Sequence, residues 1–301
     1  VRVLVTGGAG FIGSAVVREL LRRRHRVTVL DDLSTGSRAN LAGLDCVLVV
    51  GDVRDPVRVR QAMAGCGAVV HLAARVSVPE SVADPAPFVE VNVGGTFAVL
   101  EAARALGVAR VVYAGSSSAY GEQSPAHEGL PTRPQSPYAA AKLAGESLCL
   151  GHSARGVAAV VLRFFNVYGP RQRATGGYAA VVPAFLAALR VGRAPSIYGD
   201  GEQTRDLVYV EAVARAVVAA IRARGAEGAV VNVGSGRATS VNAILRAACR
   251  AVGTRCAAVY APERPGDVRY SVAQIGLVRR VLGWRPVVGL REGLRRTVAA
   301  G

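Results

Sequence analysis

The chain opens VRVLVTGGAGFIG (residues 1–13), an apolar β-branched run that breaks into a glycine-rich turn before AVVRELLRRR (15–24). The run reads as a strand and the segment after the turn as a helix. Gly7, Gly10 and Gly13 fall at GxxGxxG spacing between them. Glycines there permit a tight reversal and let backbone approach a pyrophosphate, while the helix N-terminus offers unpaired N–H groups and partial positive charge. HRVTVLDD (25–32) supplies a second strand. It ends in Asp31 and Asp32, about 20 residues on, where an acid that accepts from a ribose diol belongs. The context predicts a dinucleotide site. A carboxylate at Asp31 repels a 2′-phosphate, which favours NAD over NADP; Arg38 nearby keeps the second choice open.

The same theme runs outward from this unit. DCVLVVGDV (45–53), GAVVHLAA (67–74), ARVVYAGSSS (109–118) and AAVVLRFFNVYG (158–169) are Val-rich and continuously apolar, as strands buried on both faces are. Helical patterns lie between them, including PFVEVNVGGTFAVLEAARALG (87–107). Alternating strands and helices with right-handed crossovers predict an α/β fold, a Rossmann-type doubly wound parallel sheet. After Gly169 the pattern is broken by Gly and Pro, and the later elements are shorter: VEAVARAVVAAIRA and SVNAILRAACRAVG as helices, AVVNVGSG as a strand. The expected organisation is a cofactor domain over 1–169 and a smaller α/β substrate lobe over 170–301, with segments that interleave.

Composition narrows the class. With 301 residues, 51 % hydrophobic and 19 % charged, the chain can bury a sizeable core. The net charge of +16 raises the question of nucleic acid. The arginines are scattered, though, and lack the interleaved aromatics of a single-strand platform, so an anionic small substrate such as a nucleotide fits better. Five scattered cysteines without CxxC, and four dispersed histidines, argue for a reducing compartment and against disulfides or a metal centre. No apolar run reaches the ~18 residues a membrane helix needs, and the first residues read as a strand, with no visible signal peptide. The expectation is a soluble, cytoplasmic protein.

Of the 37 lysines and arginines, Lys142 is the single lysine. It lies in SPYAAAKLAGE (136–146), where Ser136 and Pro137 read as N-cap and first helical residue. Tyr138 and Lys142 then sit one turn apart on one face, separated by about 6 Å of rise. An ammonium beside a tyrosine stabilises the phenolate and lowers its pKa towards a useful base. A compact ammonium can also hold a ribose diol, which a planar guanidinium does differently. The plainer alternative is a surface lysine pairing with Glu146. GSSSAYG (115–121) ends a buried strand, where ligands sit in doubly wound sheets; it reads equally as a plain serine-rich loop or as the source of a hydroxyl that relays or shares a proton with Tyr138.

Taken together, TGGAGFIG, GDV (51–53), HLAA (71–74), NVGGT (92–96), SSSAYG, YAAAK, RFFNVYGPRQ and ERPGDVRYS resemble the extended short-chain dehydrogenase/reductase family, and within it the UDP-hexose 4-epimerases, acting on UDP-glucose or UDP-N-acetylglucosamine. The resemblance spans essentially the whole chain. It implies an isomerase that uses NAD, takes a UDP-sugar and packs as a homodimer through helices in 82–106 and 137–151. Ser116, Tyr138 and Lys142 match the family's catalytic trio. Phe11 and Ile12 match the turn over the pyrophosphate, Asp31 and Asp32 the adenosine-ribose contacts, and Asp52 and Val53 the adenine side. Leu72, Ala73, Ala74 and Phe165 belong to the implied cofactor set, as does Arg75, which stands where many epimerases carry a lysine. Asn166, Arg205 and Arg264 match diphosphate-side contacts, Asp267 a nucleotide-ribose contact, and Tyr198 the aromatic that packs on uracil; Ser117 and Val181 complete the substrate set. The mechanism so implied is transient oxidation of the sugar at C4 to a 4-keto intermediate, rotation, and reduction on the other face.

Two departures from the family narrow the reaction. Where its 4,6-dehydratases carry Asp-Glu, this chain has Ser117 and Ser118, which disfavours dehydration and, by the missing Glu, decarboxylation. Where glucose-only epimerases carry a large Tyr, this chain has Ser271, which leaves room for an N-acetyl group. The alternatives are a UDP-glucuronate 4-epimerase, whose carboxylate the many arginines would suit, and a non-catalytic NAD-sensing Rossmann protein.

Overall fold

The computed structural model describes residues 1–173, 180–263 and 268–300. Among them the strands, in chain order, are β1 (Arg2–Thr6), β2 (Arg26–Asp31), β3 (Cys46–Val50), β4 (Ala68–His71), β5 (Arg110–Ser116), β6 (Ala159–Phe164), β7 (Asn166–Tyr168), β8 (Ser196–Tyr198), β9 (Thr204–Tyr209), β10 (Val230–Val233), β11 (Ala238–Ser240) and β12 (Val259–Ala261). The α-helices are α1 (Phe11–Arg22), α2 (Pro56–Met63), α3 (Val78–Ala83), α4 (Ala86–Val89), α5 (Gly95–Ala105), α6 (Pro137–Ser153), α7 (Val181–Arg190), α8 (Val210–Arg222), α9 (Val241–Val252), α10 (Gly276–Leu282) and α11 (Leu290–Ala299).

Seven strands form one parallel sheet in the order β3-β2-β1-β4-β5-β6-β10. Val3, Leu4 and Val5 of β1 have no exposed surface, and alternate residues face opposite ways. Val3 and Val5 join the core under α1 and α8, while Leu4 joins the core under α2, α5 and α6. The strand order reverses between β1 and β4, so a crevice opens there beyond the carboxyl ends of the strands. The glycine-rich turn, the residues after β4 and the serines after β5 all lie at those ends.

The division at residue 169 marks a change of pattern rather than a clean break in packing. β10 and α8 come later in the chain, yet β10 pairs with β6 and α8 packs on α1. The returning strand covers the β6 edge, which would otherwise present unpaired backbone groups. Conversely β7, before residue 169, belongs to the small sheet β11-β9-β7. That sheet, the pair β12-β8 and the core shared by α7, α9 and α11 make up the second lobe.

The helix predicted over 87–107 is interrupted. Glu90–Gly94 forms a π turn between α4 and α5. Within it the Asn92 carbonyl accepts the Thr96 hydroxyl at 2.6 Å, as threonine commonly does one turn back in a helix.

Candidate active site

At the glycine-rich turn, Gly7 has φ +68°, and a Cβ on it would meet the Ala73 amide nitrogen at 2.7 Å. A Cβ on Gly13 would run into the Gly7 carbonyl oxygen. Only glycine fits either place, and the cradle so formed suits a diphosphate. Gly10 caps α1 without a side-chain hydrogen bond, so the first helical N–H groups are left for an anionic ligand. Phe11 and Ile12 are half-buried and pack down on the core. At the end of β2, Asp31 is nearly buried; its carboxylate accepts the Ala9 and Leu33 amides at 2.9 Å each. Burial pushes its pKa up while those bonds pull it down. The carboxylate thus ties the turn to β2, and its remaining lone pairs can serve a ribose. Asp32 accepts from the Ser34 amide at 3.0 Å and from its hydroxyl at 2.7 Å. Asp52 pairs with Arg54 at 2.6 Å, and Val53 is buried where a Cβ on Gly95 would stand. These residues fit a dinucleotide.

The loop after β4 is fixed by a hydrogen-bond chain with one self-consistent direction. The Ala73 N–H donates to Thr6 Oγ1 at 3.2 Å, and the Thr6 hydroxyl meets His71 Nδ1 at 2.7 Å. On the other side, His71 Nε2 meets Thr96 Oγ1 at 3.0 Å, and that hydroxyl spends its proton on Asn92. His71 Nε2 must therefore donate. Burial holds the pKa down to about 3, so the imidazole is neutral and Nδ1 accepts the Thr6 hydroxyl. The Asn92 side chain then clamps Arg75, accepting its N–H at 2.8 Å and donating to its carbonyl at 3.0 Å. Leu72, Ala73 and Ala74 are half-buried along this loop; the Arg75 side chain is exposed, near Glu80 at 3.6 Å. Phe165 lies buried beyond β6, its amide bonded to the Val233 carbonyl at 3.0 Å.

Ser136 caps α6, its hydroxyl accepting the Ala139 amide at 3.1 Å, with Pro137 at the first turn. Buried Ser81 of α3 accepts the Tyr138 amide at 3.1 Å and anchors this end of the helix. Ser116 ends β5; its Oγ accepts from the Ser118 amide at 3.2 Å and the Ser118 hydroxyl at 2.8 Å. Burial pushes the Tyr138 phenol up, and the Ser116 hydroxyl, its hydrogen-bonding partner, pulls it down. The Lys142 ammonium stands 4.4 Å from the centroid of the Tyr113 ring. Lys142 is not a surface lysine: it is 5 % exposed, and burial lowers its pKa to about 8.

In the second lobe, Asn166 on β7 stands in register with Leu207 of β9, two residues from Arg205. Arg205 Nη1 donates to the Thr204 carbonyl at 2.9 Å and the Val268 carbonyl at 2.6 Å. Tyr198 is half-buried at the end of β8, where its carbonyl accepts Gln203 Nε2 at 2.6 Å. Val181 opens α7, and Ser117 and Ser271 are half-buried. Arg264 and Asp267 lie outside the described residues. Buried Asp206, within TRDLVYV, accepts four bonds: from the Ser235 amide and hydroxyl, the Gly236 amide and the Ala273 amide. It fixes the segment that carries Ser271. Sequence reasoning assigned nothing to Ser81, Thr6, Asn92, Thr96 or Asp206, although Thr6, Asn92 and Thr96 fall inside motifs it quoted.

Residues 3–234 match the model of the NAD dependent epimerase/dehydratase family. A UDP-glucose 4-epimerase of Mycolicibacterium smegmatis is 42 % identical over 306 residues, covering 99 % of this chain and 97 % of its own. Among solved structures, UDP-glucose 4-epimerase of Thermotoga maritima, determined with UDP-glucose, superposes with a TM-score of 0.95 at 37 % identity, over 100 % of this chain and 98 % of that one. The Thermus thermophilus UDP-glucose 4-epimerase in complex with NAD gives 0.91 at 41 % identity, with the same coverage. The chain belongs to the NAD dependent epimerase/dehydratase family, an extended short-chain dehydrogenase/reductase with a Rossmann-type core. No described helix is long and apolar enough to cross a membrane.

Proposed function

We propose that the protein epimerises UDP-sugars at C4, interconverting UDP-Glc with UDP-Gal and UDP-GlcNAc with UDP-GalNAc. What supports this reading is the pairing of the Tyr138 phenol with the Ser116 hydroxyl at the carboxyl end of β5, with Ser117 and Ser118 following where dehydration would need a carboxylic pair. Bound NAD would supply the hydride acceptor and donor for C4. Tyr138 takes the C4 hydroxyl proton during oxidation to the 4-keto sugar and returns it on reduction, with Ser116 sharing it. Lys142 holds the nicotinamide ribose; Gly7, Gly10, Gly13 and the α1 N-terminus hold the diphosphate, and Asp31 and Asp32 the adenosine ribose. Asn166, Val181, Tyr198, Arg205, Arg264 and Asp267 form the UDP site, and Ser271 leaves space for an N-acetyl group.

The reading includes a homodimer. Val89, Phe97 and Leu150, on α4, α5 and α6, are exposed large apolar side chains on the predicted dimer segments.

The test is to incubate the protein with UDP-Glc, UDP-GlcNAc and UDP-GlcA separately and resolve C4 epimers. Turnover of the first two is expected. Activity on UDP-Glc without UDP-GlcNAc removes the role of Ser271, turnover of UDP-GlcA alone replaces the substrate, and a fully active Tyr138→Phe variant sinks the mechanism.

A further inference from the structure

Glu146 follows Lys142 by one turn of α6, and both side chains are buried. An ammonium and a carboxylate four residues apart on a helix can reach each other, and the attraction grows away from water. Here they do not close. Arg163 of β6 takes both carboxylate oxygens, Nε donating to Oε2 at 2.9 Å and Nη2 to Oε1 at 2.5 Å. Lys142 is left standing over Tyr113.

Arg163 is an expensive way to hold a core together. It is 4 % exposed, its guanidinium carbon lies 4.6 Å from the centroid of the Tyr120 ring, and its Nη1 is buried with no hydrogen-bond partner among the described residues. Apolar residues of similar volume commonly serve stability as well as a buried ion pair does, and an orphaned buried donor adds to the cost. Retaining a charged pair one turn from the functional lysine therefore points to a role beyond packing.

We propose that Arg163 is a positioning residue for Lys142: by occupying both oxygens of Glu146 it keeps that carboxylate from capturing the ammonium, which stays directed to the crevice. The inference rests on the epimerase reading above, in which Lys142 is catalytic.

The test is a double-mutant cycle on UDP-Glc epimerisation, with Lys142→Met as a reference. In Arg163→Met the freed carboxylate draws Lys142 away, and kcat is expected to fall about 100-fold, the low end of what a positioned proton-transfer apparatus is worth. KM should change by less than about threefold, because substrate binding is elsewhere. Arg163→Met/Glu146→Met removes both charges and is expected to return kcat to within about fivefold of wild type. Removing Arg163 alone also strands a buried carboxylate, which a packing strut would feel too, so the folded fraction of each variant is read by urea unfolding and kcat is taken per folded enzyme; an unrescued double variant, full kcat in Arg163→Met, or a loss that vanishes on this basis overturns the proposal. Activity surviving Lys142→Met sinks the reading of the site and this inference with it; an inactive Lys142→Met with an unrescued double variant sinks this inference alone.

Discussion

The Lys142 ammonium stands 4.4 Å from the centroid of the Tyr113 ring, and the Tyr113 hydroxyl donates to the Lys142 carbonyl at 3.1 Å. One aromatic residue thus fixes both the head of the lysine and its place on α6. The ring face favours the cation, while burial brings its pKa to about 8. The slot fits a compact ammonium. Lys142→Arg keeps the charge but brings a larger planar head, and kcat is expected to drop more than about 100-fold with the circular dichroism unchanged. Retention of a tenth of the activity would show that charge alone suffices.

Gly145 faces the same ring. A Cβ there would run into the Tyr113 hydroxyl. On an open helix surface Gly→Ala stabilises by about 1 kcal/mol, so the sign of the effect is diagnostic. Gly145→Ala is expected to cost about 1–3 kcal/mol through overpacking. Adding Tyr113→Phe, which deletes the obstructing oxygen, should recover part of it. Urea unfolding measures both.

Stability should depend on His71 in acid. The native imidazole stays neutral down to about 3, whereas its ordinary value is 6.5. As pH falls below 6.5 the unfolded chain takes up a proton that the native state refuses, so stability is full above that value and drains away towards 3. Between pH 7 and pH 5, wild type is expected to lose about 2 kcal/mol more than His71→Gln. Equal losses in urea titrations at the two pH values would mean that the imidazole accepts its proton in place.

Asp31 is expected to act on ligand and fold at once. Asp31→Ala strands the Ala9 and Leu33 amides, costing about 1–3 kcal/mol, and removes the acid proposed for the ribose. NAD affinity, followed by NADH fluorescence, should fall at least about tenfold. Unchanged affinity in a destabilised variant would leave Asp31 as a tie for the turn and nothing more.

The parts legible in the sequence were those written in contiguous residues. The glycine spacing and the Val-rich runs specify the parallel sheet, and Ser136-Pro137 marks the start of α6. What escaped depends on partners far apart in the chain. Asn92 looks like one polar residue in a helix until the π turn aims it at Arg75, 17 positions back. Asp206 looks solvent-bound in TRDLVYV, yet it gathers amides from Ser235 to Ala273. Glu146 reads as a partner for Lys142 because both lie on one helix; β6, which brings Arg163, is invisible to helical spacing. Interleaving across the boundary at 169 was expected, but which segments return to the first layer, β10 and α8, is not written in any contiguous run.

The solitary, buried lysine has a practical consequence. A protease that cuts only after lysine finds one scissile bond in this chain, between Lys142 and Leu143, in the interior of α6. A helical backbone packed on β5 and β6 cannot enter a protease cleft, so digestion waits for the helix to open. The yield of two fragments over time therefore counts openings of α6, and a bound ligand that braces it would slow the count.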